Sequence, residues 1–268
     1  MPIIATNQIP TSRAIDFFYK TDVFFGIGGP SAWADDNNPP AAYPSDTITN
    51  LIGVKQMENI YLVVPDVNGT ITYQDSKWSI VPPDQAKSKN IKHVYVDTTL
   101  MYDELPLTTY RQVGLYTKIV RGSGVREVET LQVTGPATSS GVITVTLAGS
   151  TFNIAISSGD TTSQIAAKVA SLSYSNWTTN NNPGTSVVTF TSNMVGSIPT
   201  PAFSSGSTGV LGNISTTTKG SNAVPPAKTV LLPSEIGDLG FLEILDNRTP
   251  TPRARNQRET LSFIIQFS

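Results

Sequence analysis

Val23 to Asp46 reads VFFGIGGPSAWADDNNPPAAYPSD. The apolar run Val23–Ile27 has the residue types of a buried strand. Gly28, Gly29 and Pro30 then break it. A lone Trp33 follows, then an acidic and amide run, the pair Pro39-Pro40, and Tyr43-Pro44. This order describes a strand feeding a fixed, irregular surface segment that presents aromatics at set positions, which suits assembly rather than catalysis. Gly26-Ile27-Gly28-Gly29 has the outline of a dinucleotide loop, but the third glycine belongs three residues after Gly28, where Ser31 stands. Pro30 also obstructs the expected turn, and no helical pattern follows.

Working outward, Ser12–Tyr19 has the spacing of a short helix capped by Ser12, with Ala14, Phe17 and Phe18 on one face. An extended arm is the other reading, because eight residues make a marginal helix. The stretch 46–60 fits either helical turns, pairing Thr47 with Leu51 and Val54 with Met57, or an irregular path broken at Gly53. Ile60–Val64 reads as a strand. The turn Asp66-Val67-Asn68-Gly69 should lead it into a hairpin partner at Thr70–Tyr73. Lys92–Val96 and Val113–Val120 alternate as strands do.

Composition then shifts. Between Thr130 and Asn222 only Asp160, Lys168 and Lys219 carry charge. Ser, Thr, Gly and Asn dominate, yet the pattern is regular. GVITVTLAG and STFNIAIS form two strands joined at Ala148-Gly149-Ser150. Asp160 or Thr161 caps a helix in which Ile165, Val169 and Leu172 share a face. Thr185–Thr191 is a further strand. Charges return beyond Asn222, with strands at Phe241–Leu245 and Leu261–Phe267. The last of these is expected in the middle or on the inner face of a sheet, tying the C-terminus back to the first domain. These features predict a mainly β protein. A two-layer, β-sandwich-like discontinuous domain, 1–127 and 223–268, carries an inserted small α+β module, 128–222.

Composition also bounds function. The net charge is −2 and charged residues make up 14% of the chain, below the usual quarter, so no nucleic-acid partner is expected. Arg253, Arg255 and Arg258 form the densest basic cluster, which reads as a solvated loop. There are no cysteines, which excludes disulfides, thiolate metal sites and cysteine nucleophiles. That usage fits a reducing compartment. The start MPIIATNQIPTSR lacks the basic and apolar blocks of a signal peptide. No run approaches the roughly 20 apolar residues of a membrane span, so no membrane insertion is expected.

One histidine, His93, serves 268 residues, and it lies in the strand-like run IKHVYVD. A triad or histidine-rich metal site would have to be built around this one imidazole. Asp35, Asp36 and Asp46 lack calcium-loop spacing and read as turn residues. Asp103 and Glu104 are adjacent and point to opposite faces of an extended chain, a poor catalytic pair. Asn68, Asn176, Asn213 and Asn247 begin Asn-X-Ser/Thr sequons of the kind that arise by chance in a Thr-rich chain. The reading is a non-enzyme with no catalytic, cofactor-binding or metal residues.

The segment TSRAIDFFYKTDVFFGIGGPSAW…DDNNPPAAYPSD resembles the N-terminus of the baseplate wedge subunit of T-even-type contractile phages, the wedge component numbered eight. The features that carry the resemblance are Phe17-Phe18-Tyr19, then Phe24-Phe25-Gly26, Trp33, Pro39-Pro40, Tyr43-Pro44 and Asp46. Tyr110-Arg111-Gln112-Val113 is similar to that family's aromatic-Arg-Gln-aliphatic strand start. Asn247 through Pro250, and Gln257 through Leu261 to Phe267, are similar to its closing strand. Together these cover roughly 10–125 and 225–268. The stretch from Trp78 to Tyr110 is shorter than in the T-even protein. The window 130–222 has no counterpart there and is instead similar to decoration modules of phage tail proteins.

The resemblance implies a homodimeric structural subunit of a contractile-tail baseplate wedge. It would be assembled in the host cytoplasm and resident in the virion, holding neighbouring wedge proteins and transmitting the rearrangement that triggers sheath contraction. Large, partly polar interfaces suit such a complex. The loops bearing Trp33, Tyr43 and Arg253 are the expected contacts; for the aromatics Trp33, Tyr43, Trp78 and Tyr102 core burial is the default and partner anchoring the alternative. A glycan-binding adhesin or fibre-like tail protein that uses the inserted module is the alternative function. In that case aromatics of the module would form the platform.

Overall fold

The computed structural model of the chain describes residues 8–44 and 46–268. Residues 1–7, on which part of the signal-peptide expectation rests, and Ser45 lie outside the described residues. The chain divides into two compact units, one running up to Gly122 and resuming at Pro226–Ser268, the other Ser123–Pro225. Both are built mainly of antiparallel strands.

The first unit opens with α1 (Ile9–Phe18) and continues through β1 (Val23–Gly28), β2 (Gly53–Gln56), β3 (Asn59–Pro65), β4 (Ile71–Tyr73) and β5 (Ser76–Ile80). Then come β6 (His93–Leu100), β7 (Thr109–Thr117) and the short β8 (Val120–Arg121). The second unit holds β9 (Arg126–Gly135), β10 (Gly141–Leu147), β11 (Ser150–Ile156), α2 (Thr162–Ser171), β12 (Trp177–Asn180), β13 (Val187–Val195), β14 (Ala202–Ser204) and β15 (Leu211–Thr218). On its return to the first unit the chain forms β16 (Val230–Leu231), β17 (Ile236–Asp238), β18 (Phe241–Pro252) and β19 (Glu259–Gln266).

Two five-stranded sheets, ordered β16-β2-β1-β7-β18 and β19-β6-β3-β5-β4, make the layers of the first unit. Their inner faces share one core: Val23, Phe25 and Ile27 of β1 meet Leu62, Val94, Val96, Leu261 and Phe263 of the facing sheet. The rings of Phe25 and Phe263 stack at 5.6 Å, nearly parallel. Each such side chain removed from water contributes roughly 1.5–3 kcal/mol. α1 adds Ala14 and Phe17 to this core, and Phe17 packs on Phe267 at 5.6 Å. The architecture is thus a two-layer β-sandwich.

β1 is buried on both faces, and its glycines explain how. Gly26 pairs with Gly114 of β7 across the ladder, which leaves a hollow on the outer face. Ile48 fills it: a Cβ on Gly28 would lie 2.2 Å from Ile48 Cγ2, and one on Gly114 would lie 2.9 Å from Ile48 Cδ1. The alternating glycines of VFFGIGG therefore seat a neighbouring loop instead of cradling a phosphate.

Several local expectations are corrected. Ser12 is not a cap; the helix starts at Ile9 with Gln8 at the N-cap and Pro10 in the first turn, where proline is tolerated. Within the ambiguous 46–60 stretch, Gly53–Gln56 form β2 and Asn59 opens β3. β3 pairs with β5 and not with β4; the tight turn is Gln74-Asp75, both at positive φ, between β4 and β5. β19 lies at a sheet edge, and of the two placements expected for it the inner face holds, with Leu261 and Phe263 buried.

In the second unit, sheets ordered β12-β13-β9-β15 and β11-β10-β14, together with α2, enclose a separate core around Leu131, Ile143, Ile165, Val188 and Phe190. The β10–β11 hairpin turns at Ala148 (φ 51°) and Gly149 (φ 79°), the positive-φ pair of a two-residue hairpin turn. Thr161 caps α2 reciprocally with Gln164, satisfying two orphan amides. Ile165 and Val169 are buried, whereas Leu172 is the C-cap and 37% exposed. A bridge between Val125 and Ser221 joins the two ends of this unit.

Candidate assembly surface

The expected contact residues fall along one strand. β18 is the edge of its sheet, pairing only with β7 among the described strands. Its register slips between Asn247 and Thr251, so the backbone at Arg248 leaves the ladder. Trp33 repairs the gap, its Nε1 donating to the Arg248 carbonyl at 3.0 Å. Trp33 is half-buried, so it is an anchor holding its own loop down as well as a partly open surface.

The loop between Pro30 and Pro40 is tied to β7 by two consecutive residues. Arg111 donates from Nη1 to the Pro30 carbonyl at 2.7 Å, and from Nε and Nη2 to the two oxygens of Asp36 at 2.8 Å each. Asp36 also accepts the Trp33 amide at 2.9 Å. The guanidinium fork and that amide hold the Asp36 carboxyl down from 3.8 to about 2. Gln112 donates to Asn247 Oδ1 at 2.9 Å, and Asn247 donates to the Pro40 carbonyl at 3.0 Å. The other end of Gln112 accepts from Thr49.

Tyr43 is 68% exposed. Its amide donates to Asp46 and its carbonyl accepts the Asp46 amide, so the ring stands on a closed turn. A groove of about 220 Å³ runs between this turn and Leu242–Leu245 at the start of β18. Phe241, one residue earlier, is 59% exposed with the Lys118 ammonium 5.3 Å from its ring centre.

Arg253 lies just past the far end of β18. Its guanidinium donates to the carbonyls of Met101, Leu105 and Pro106. Burial pulls its pKa down despite the nearby Glu259. It braces the 101–106 loop and lines a cleft of about 380 Å³ with Leu100, Arg258 and Glu259. The Glu259 carboxylate accepts the Tyr110 hydroxyl, whose own ionisation burial pushes far up.

Trp33, Tyr43 and Arg253 thus occupy three points along one strand, each held by its own hydrogen bonds. Asp36, Arg111, Gln112 and Asn247, which build the platform, were not foreseen as a set. Their sequence-level signals were scattered over three separate stretches, the DDNNPP run, Tyr110-Arg111-Gln112-Val113 and Asn247 through Pro250.

The residues with catalytic overtones are engaged structurally. His93 packs edge-on against Trp78 at 5.1 Å, and burial, then Lys92, lower its pKa. Glu104 binds the buried Lys55 ammonium at 2.8 Å. Asp35 accepts a turn amide from Asn37. Among the described residues there is no group of three or more His, Cys, Asp or Glu able to hold a metal ion. In the second unit, Tyr174, Trp177 and Phe190 are core residues, and Phe152 and Phe203 pack against them half-buried. These rings form a core and not an exposed stacking platform.

Comparison with known proteins adds the family. The baseplate wedge 3 tail fiber network component family matches residues 2–139 and 209–267, leaving 140–208 outside the match. Virion protein 3 of Enterococcus phage phiEF24C is 30% identical over 125 residues, which cover 44% of this chain and 69% of that protein. The chain belongs to the baseplate wedge 3 tail fiber network component family.

Proposed function

We propose that this protein is a structural, non-catalytic subunit of a contractile-tail baseplate wedge. It acts as a homodimer of the kind formed by the wedge component numbered eight. It is assembled in the host cytoplasm, carried in the virion, and binds neighbouring wedge and fibre-network proteins along β18. It holds these neighbours in one geometry and passes on the rearrangement that precedes sheath contraction. Family membership supports the setting. The observation that carries the reading is the Trp33–Asp46 segment, pinned at both Arg111 and Asn247 while leaving Tyr43 exposed. A pre-ordered aromatic costs little entropy on docking.

The test is co-expression with the other baseplate proteins of the same phage, followed by mass measurement in solution. A dimer that co-purifies with at least one neighbour, and loses it on Tyr43→Ala without losing its fold, is expected. A strict monomer that binds none of them overturns the reading.

A further inference from the structure

β9 carries two carboxylates at the base of the second unit. Glu127 and Glu129 are 2% and 1% exposed. Alternate positions on a strand share a face, so they stand side by side, in line with the core residues Leu131 and Val133. Both neighbouring strands abandon the ladder at this point. The register with β13 jumps from Thr191–Val128 to Val195–Arg126, and that with β15 ends at Thr218–Val128.

The side chain of Glu127 takes up amides that the ladder no longer serves. Its Oε2 accepts from Ile198 N at 3.0 Å and Gly220 N at 3.1 Å. Gly220 is pressed close; a Cβ there would lie 1.9 Å from the Gly196 carbonyl oxygen and 3.2 Å from Glu127 Cβ. Glu129 accepts the Thr216 hydroxyl at 3.1 Å through Oε1, while its Oε2 is buried with no donor. The two carboxyls act on each other, and a proton placed on Glu129 Oε2, the buried oxygen without a partner, would let Glu129 donate to Glu127.

Adjacent buried carboxyls cannot both ionise cheaply. Burial, reinforced by Glu127, pushes the Glu129 carboxyl up to about 7. For Glu127, burial acts upward, but the Ile198 and Gly220 amides outweigh it and hold the group low, with help from Glu129 and the Lys219 ammonium. Facing the pair from the packed elements are Phe190 of β13, Thr216 of β15, the 196–198 backbone and Lys219, the charged group that acts on it. The amide hydrogens directed at Glu127 Oε2 favour its ionised form, which leaves the proton to Glu129, whose Oε2 has no donor. A divalent cation would need the oxygens bare.

We propose that Glu127 and Glu129 form a proton-operated latch. With one proton between them, the pair holds the Ile198 and Gly220 amides and closes the base of the second unit. When that proton passes to solvent, two negative charges share the buried site and the closure loosens. The sign follows from the raised carboxyl. Its contribution is complete below the ordinary value of 4.5 and is lost as pH rises through about 7.

The test uses the full chain, with carboxyl carbon NMR and amide-exchange protection factors at pH 5.5 and 8.5. One glutamate is expected to titrate near neutrality. Protection at Ile198 and Gly220 should fall by at least about tenfold, the equivalent of one pKa unit. Amides of β6, in the first unit, should keep theirs. Glu129→Gln keeps a donor to Glu127 without the charge and should abolish the fall. Equal protection at both pH values, a fall that survives in Glu129→Gln, or the absence of a near-neutral glutamate titration would overturn the latch. The wild-type titration decides alone if the variant does not fold.

Discussion

Asp36 and Arg111 form a two-pronged ion pair, Nε to Oδ1 and Nη2 to Oδ2, both at 2.8 Å. They are 75 residues apart in sequence, and their union fixes where the chain runs after β1. Arg111 is 8% exposed, so the guanidinium has exchanged water for this carboxylate and the Pro30 carbonyl. Planar fork geometry of this kind is specific to arginine.

Replacing Asp36 with Asn should therefore free the Trp33–Pro40 loop while leaving the sandwich folded. Limited proteolysis should cut the variant within this loop and spare the wild type. Because the Asp36 carboxyl is lowered from 3.8 to about 2, its stabilisation is complete above the ordinary value and disappears as pH falls through about 2. Tryptophan fluorescence from Trp33, read against a Trp33→Phe control, should stay native down to about pH 3.

The hollow over Gly26 and Gly114 predicts opposite kinds of damage with similar cost. Gly26→Ala places a Cβ 2.6 Å from the Tyr116 ring, an overpacking expected to cost about 1–3 kcal/mol. Ile48→Ala empties the same site from the other side and should cost about 2–5 kcal/mol. Urea denaturation at constant slope would measure both. A neutral Gly26→Ala would mean that the Tyr116 ring moves aside at no cost.

Lys55 is 5% exposed and is held by Glu58 at 2.9 Å, Glu104 at 2.8 Å and the Thr99 carbonyl. Removing Glu104 leaves the buried ammonium with the Thr99 carbonyl and with Glu58, whose side chain is 43% exposed. Glu104→Ala should cost about 3 kcal/mol, and Lys55→Met considerably less, because breaking one side of a buried pair is worse than replacing its charge with an apolar chain. Thermal denaturation of both variants would check the order.

In the second unit, Thr161→Ala removes the reciprocal cap of α2 and should cost about 1 kcal/mol. Exchange protection in α2 reports it, with first-unit amides as the internal control.

Much of this was legible from pattern. β1, the Ala148-Gly149 hairpin and the capped α2 each had local sequence signals strong enough to survive tertiary context. The failures have distinct causes. The Gln74-Asp75 turn adopts positive φ without glycine, so the β4–β5 hairpin was hidden while Asn68-Gly69 drew attention to the wrong junction. β2 contains Gly53 and a buried lysine, and its strand character comes from pairing with β1 and β16, which no local window contains. For β19 the apolar pattern left the middle and the inner face both open, and the structure takes the inner face of an edge strand. The platform along β18 depended on contacts over 75 to 215 residues, Asp36 to Arg111 and Trp33 to Arg248. Spacing cannot reveal partners that distant.

The bridge between Val125 and Ser221 has a practical consequence. Antiparallel partners stand only about 5 Å apart, so the outgoing and returning chains could be spliced by a turn of roughly two to five residues. A domain with adjacent termini, such as a fluorescent reporter, should therefore be accepted at this point, since the two chain ends it would join already stand side by side.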